Sequence, residues 1–154
     1  MIKKIIKLFL IVTWMGIIFS FSQDNGNDSE KKSDSIILTI YKIFDKRPLT
    51  EDKKRILIDR FVYPVRKLAH FSEYLILGIL VISFISEFKQ IELKYIIISI
   101  LVCCLYAVSD EIHQLFVANR SGKITDVIID TFGSSTGILI YDMIKKIRRR
   151  KNNE

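Results

Sequence analysis

Cysteine is nearly absent from this 154-residue chain: Cys103 and Cys104 are the only two, and they are adjacent. Neighbours on a helix point about 100° apart, so the pair reads as small apolar packing residues, with neither a disulfide framework nor metal-ligand spacing implied. Also missing are a serine nucleophile elbow, a phosphate-binding glycine loop, a zinc-protease motif and an internal repeat. No basic surface interleaved with aromatics is present, which argues against nucleic acid as a partner. Histidine is scarce too, with only His70 and His113. What the chain does have is 49% hydrophobic residues alongside 27% charged ones, at a mean hydropathy of +0.26. Both fit in one domain because the charges are segregated between apolar blocks.

Four such blocks run over about 5–21, 68–86, 93–118 and 127–144. Each is near the roughly 17–25 residues a membrane-spanning helix needs. Stretches such as 74–86 and 96–107 carry no charge at all, whereas a helix of a soluble bundle would show a polar stripe at helical period. The expected fold is therefore an all-α integral membrane bundle of four transmembrane helices, formed by residues 1–154 as a single domain. Much of the net charge of +7 lies at the ends, in Lys3, Lys4 and Lys7 and in Lys145, Lys146, Arg148, Arg149, Arg150 and Lys151. Positive-inside bias puts both termini in the cytoplasm, which four crossings satisfy, and the basic ends suit an anionic inner leaflet. The first block also has the form of a signal peptide, with a basic start and small residues at Ser20 and Ser22. That alternative would leave three helices.

Residues 22–67 then form a long outer segment. Within it, 23–34 reads as a flexible polar linker. Residues 35–44 read as an amphipathic helix on the membrane surface, carrying Ile36, Ile37, Ile40, Ile43 and Phe44. After Pro48, Thr50 can cap a second short helix with Glu51 and Asp52 in its first turn, ended by Pro64.

Ionisable groups beside lipid usually mark a site or a paired network. Three clusters fall at the outer ends of the last three blocks. Lys67, His70, Glu73 and Tyr74 share one helical face, and Asp110, His113 and Gln114 share another, with Glu111 just outside that arc. Asp126 and Asp130 align with Gly133 and Gly137, a spacing that lets a second helix approach closely. Arg120 and Lys123, in the short outer loop, can reach the same depth. A pocket with Lys, Arg and His suits a phosphate or pyrophosphate head group. His70, Glu73, Asp110 and His113 are the candidates for positioning or proton transfer, and Lys67, Glu111, Gln114, Arg120, Asp126 and Asp130 for ligand contact. Imidazole with carboxylates also forms a metal-ligating set, but no established spacing is present and no metal or other cofactor is assigned. Two rival readings stand beside a binding pocket: an enzyme acting on the head group, and a scaffold whose charges only neutralise one another.

The chain resembles the VanZ-like family of small bacterial membrane proteins. The features are Ile18-Phe19-Ser20-Phe21-Ser22-Gln23, Arg66-Lys67-x-Ala69-His70-Phe71-x-Glu73-Tyr74-x-x-Leu77-Gly78, Ser109-Asp110-Glu111-x-His113-Gln114-x-Phe116, Arg120, and Asp126-x-x-x-Asp130-x-x-Gly133-x-x-x-Gly137. Residues 23–59 fall outside the pattern, and Ala118-Asn119 stands where many relatives have proline or glycine before the arginine. The resemblance implies a multi-pass protein of the bacterial cell membrane and a link to teicoplanin resistance, without supplying a reaction. The expected partners are the bilayer and an anionic lipid or lipid-linked cell-wall precursor; the oligomeric state is not specified.

Overall fold

The computed structural model describes residues 1–45 and 47–152. Five helices and no strand occur among the described residues: α1 (Ile2–Ser22), α2 (Gly26–Phe44), α3 (Glu51–Ile85), α4 (Leu93–Gln114) and α5 (Ile124–Lys151). All except α2 are long and apolar enough to cross a membrane. Their outer surfaces carry Ile5, Phe9, Val12, Leu101, Leu105, Phe132 and Leu139, all exposed, whereas Asp130, Ser99 and Ser134 are wholly buried. Apolar outside and polar inside is the arrangement that lipid favours, because a polar group facing hydrocarbon has no partner.

The central pair is α3 against α5, and glycine explains its closeness. A Cβ on Gly137 would lie 2.1 Å from the Leu75 carbonyl oxygen, and one on Gly133 would lie 2.4 Å from that of Phe71. The relation is reciprocal, since a Cβ on Gly78 would lie 2.2 Å from the Ser134 carbonyl oxygen. In each case the obstacle is backbone, which cannot move aside. Small residues at such an interface let dispersion act between whole helix surfaces. Side-chain hydrogen bonds to backbone carbonyls hold the middle of α1. The Trp14 indole donates to Glu73 at 2.9 Å, and the Tyr106 hydroxyl donates to Met15 at 2.7 Å. Ile18, Tyr74, Leu77, Val81, Cys103 and Ala107 fill the apolar centre, so one cysteine is indeed packing material.

Three features of segment 22–67 and its surroundings differ from expectation. The polar stretch after Ser22 is helical from Gly26 and continuous with the amphipathic stretch. Asn25 caps it by accepting from the Asp28 N–H at 3.0 Å, with Asp28 itself in the first turn. Its docking is tight, because the Gly26 N–H donates to the Ala118 carbonyl at 3.1 Å and a Cβ there would overlap the Asn119 carbonyl. Asn119 takes the left-handed φ of 58° that this turn requires, a conformation asparagine tolerates. Second, α3 is one 35-residue helix that runs through Pro64. Proline removes its own N–H bond and its ring crowds the carbonyl four residues back, but Pro64 is exposed, so that carbonyl can tilt outward and be solvated. The apolar run beyond it carries the helix onward. At 1.5 Å per residue α3 is about 52 Å long, well beyond the ~30 Å hydrocarbon core, so its first turns project from the bilayer beside α2. Thr50 occupies the N-cap position but makes no side-chain cap bond. Third, α4 stops at Gln114 rather than near 118, because the chain folds back through 115–123.

Candidate functional site

Where α3, α4 and α5 meet at the end carrying loop 115–123, their polar residues converge. Lys67 on α3 pairs with Asp126 in the first turn of α5. One turn deeper, His70 Nδ1 lies 3.4 Å from Asp130 Oδ1, too long and misaligned for a hydrogen bond. On α4, Gln114 bridges to α1, its amide donating to Ser22 Oγ and to Asp110 Oδ2, each at 3.2 Å. The Lys123 backbone N–H donates to Glu111 Oε2 at 2.7 Å, fixing the fold-back of the loop on α4. Arg120 reaches over α1, donating from Nη2 to the Phe21 carbonyl at 2.9 Å. Burial, and next the nearby Arg66, push the Arg120 guanidinium below its ordinary pKa, while Asp110, Asp24 and Glu111 pull it back; an arginine remains charged throughout.

Several of these groups are buried without a hydrogen-bond partner. They include His70 Nδ1, both oxygens of Asp130, Asp110 Oδ1 and Glu111 Oε1. Buried polar atoms are nearly always satisfied, so orphans concentrated at one place need an explanation.

Two of the cavities at this end are bordered by His70. The first, of about 250 Å³, is bordered by Arg66, Lys67, His70, Arg120, Lys123 and Asp126, with Glu30 of α2 at its edge. The second, of about 220 Å³, is more apolar and lies between α2 and α3, bordered by Phe21, Ile36, Val65, Ala69, Glu73 and Arg120. His70, Arg66 and Arg120 belong to both.

Most of the residues singled out in the sequence meet here, but the face of α4 is turned from the expected one. Asp110, Glu111 and Gln114 are the buried residues of its last turn, so Glu111 joins the centre. His113 does not border either cavity; its ring lies against Phe19 of α1, centroids 4.5 Å apart. The inward arc is rotated toward α5 because loop 115–123 fastens to Glu111 from that side. Arg66 and Glu30 are further cavity residues that sequence reasoning left out of the site. Arg66 was visible beside Lys67 in the motif, and the Asn25/Asp28 cap was the available signal for the helix that presents Glu30.

A bundle of lipid-facing helices enclosing a polar end defines a multi-pass membrane protein. More particularly, residues 7–145 match the VanZ/LLP1 family, and the chain belongs to it. No curated protein and no solved structure matches the chain.

Proposed function

We propose that the polar end of the bundle faces the outside of a bacterial cell membrane and binds the phosphate-bearing head group of an envelope lipid or lipid-linked cell-wall precursor. The supporting observation is the cavity beside Lys67 and His70, where Arg66, Lys67, Arg120 and Lys123 outnumber Glu30 and Asp126. Guanidinium and ammonium groups in a partly enclosed space favour phosphate through charge-assisted hydrogen bonds. Asp126 holds Lys67 toward that space, and the adjoining cavity offers Phe21, Ile36 and Val65 to the apolar part of the ligand. Orientation follows from charge. Lys7 reaches Glu87 and Lys145 reaches the Ser86 carbonyl, so both basic termini share the opposite end. Positive-inside bias assigns that end to the cytoplasm.

On this reading any glycopeptide phenotype depends on occupancy of the cavity. A scaffold made only of compensating charges fits the Lys67–Asp126 pair, but it leaves the unpartnered oxygens of Asp110, Glu111 and Asp130 without a role. The test is native mass spectrometry of detergent-purified protein offered a polyprenyl phosphate and a neutral lipid of equal chain length. Selective retention of the phosphate by wild type, lost in Arg66→Gln/Arg120→Gln, is the expected result. Equal retention of both lipids, or an undiminished phosphate signal in the double variant, would overturn the reading. Complementation of a deletion strain with the same variants, at matched membrane levels, then tests for a teicoplanin phenotype.

A further inference from the structure

The orphaned donors form a pattern that anion binding alone does not use. One donor atom from each of His70, Glu111 and Asp130 lies within 4.8 Å of the others. These residues come from three different helices, α3, α4 and α5, so helix packing rather than local sequence brings them together. Asp130 is wholly buried and neither of its oxygens accepts a hydrogen bond. His70 Nδ1 and Glu111 Oε1 are likewise without partners, while Glu111 Oε2 is oriented by the Lys123 N–H. Among the described residues neither Lys67 nor Arg120 pairs with these carboxylates: Lys67 pairs with Asp126, and Arg120 Nη2 donates to the Phe21 carbonyl.

We propose that His70, Glu111 and Asp130 bind one divalent transition-metal ion of the Zn²⁺ or Mn²⁺ type where α3, α4 and α5 meet, behind His70. An imidazole nitrogen with two carboxylates is a donor set that such ions accept, with bonds of about 2.0–2.2 Å. Tetrahedral ligands at that radius are about 3.4 Å apart, the separation already present between His70 Nδ1 and Asp130 Oδ1 at 3.4 Å. Glu111 closes the remaining distance by a side-chain adjustment. The ion's two positive charges balance Glu111 and Asp130, which removes the cost of burying them unpaired. Three protein ligands leave a coordination position open. His70 borders both cavities, so an ion held by it, and the open position on that ion, would adjoin the phosphate-binding space. That a phosphate oxygen fills it rests on the function proposed above; the three-residue ion site does not.

The experiment uses the full chain, purified in detergent, stripped with a chelator and dialysed against Zn²⁺ or Mn²⁺. Metal content is measured by mass spectrometry and thermal unfolding is followed with and without the ion. About one ion per chain and a metal-dependent rise in Tm are expected of wild type. Asp130→Asn and the conservative Glu111→Gln should each weaken binding by about tenfold or more, while His113→Ala, away from the cluster, should bind as wild type. Failure of wild type to take up either ion, or full uptake by Asp130→Asn and Glu111→Gln together, overturns the site. Repeating lipid retention on stripped and loaded protein separates the two proposals. Stoichiometric metal without retained phosphate lipid removes the function and leaves the ion site, whereas retained lipid without metal does the reverse.

Discussion

The two ends of this bundle handle charge in opposite ways. At the end carrying both termini, each of the principal acids has an ionic partner, and every such pair keeps at least one partly solvated member. Lys7 pairs with Glu87 at 2.5 Å and Lys146 with Asp142 at 2.6 Å, while the Tyr141 and Ser86 hydroxyls share a hydrogen bond at 3.1 Å. At the other end Asp126 pairs with Lys67, but the buried Asp110, Glu111 and Asp130 each keep at least one oxygen with no hydrogen-bond partner among the described residues. A protein selected for stability alone would pair or replace such groups, since a well-packed apolar substitute is often as stable. The paired end fastens helices together. The unpaired end sacrifices stability for a place where something else can bind.

If that contrast holds, the one buried pair at the polar end behaves structurally. Asp126→Ala strands the Lys67 ammonium, whose side chain is only 15% exposed, and should cost about 3 kcal/mol, the low end for breaking a buried pair. Denaturant titration in detergent measures it, and Lys67→Met in the same background should recover much of the loss. Next in size is the helix contact on which both ends depend. Gly137→Ala forces a methyl into the Leu75 carbonyl and should cost about 2 kcal/mol as α3 and α5 separate. Gly16→Ala is the control, because a Cβ at Gly16 meets nothing within 4 Å.

The sharpest test is of opposite sign. Asp130→Asn removes a buried charge that faces His70 at 3.4 Å but accepts no hydrogen bond among the described residues, so metal-free protein should become more stable by about 1 kcal/mol even as ligand binding is lost. The same denaturant titration reads it. A large destabilisation instead would class Asp130 with Asp126 and erase the difference between the two kinds of acid.

The sequence displayed the apolar blocks and polar clusters plainly, because lipid imposes long uncharged runs and makes every buried charge conspicuous. It hid what depends on contacts between elements. Residues 26–34 are polar and weakly periodic, and they become helical through the Asn25 cap and the docking of Gly26 under Asn119. Pro64 looked like a terminus because the local rule is correct and the neighbouring apolar run overrides it. Glu111 and His113 exchanged places relative to the centre because the loop that turns the arc is itself fixed by Glu111. A helical wheel gives relative angles within one helix and not its rotation against the next.

The smallest effect belongs to the solvated end. Glu87 is exposed enough for salt and water to screen its pair with Lys7. The hydrogen bond from Lys7, and next its charge, hold the Glu87 carboxyl below its ordinary pKa. A depressed carboxyl pKa contributes stability that is fully present above the unfolded value of about 4.3 and is lost as pH falls through the folded value. Glu87→Gln should therefore leave Tm almost unchanged in high salt, lower it slightly at neutral pH in low salt, and make no difference to Tm at pH values below the folded pKa. Metal and phosphate-lipid binding at the far end should be unaffected throughout. Thermal unfolding of wild type and Glu87→Gln across acidic to neutral pH, at two salt concentrations, measures the effect. A large, salt-insensitive loss in the variant would mean that this end depends on desolvated charge just as the other does, and the contrast between them would disappear.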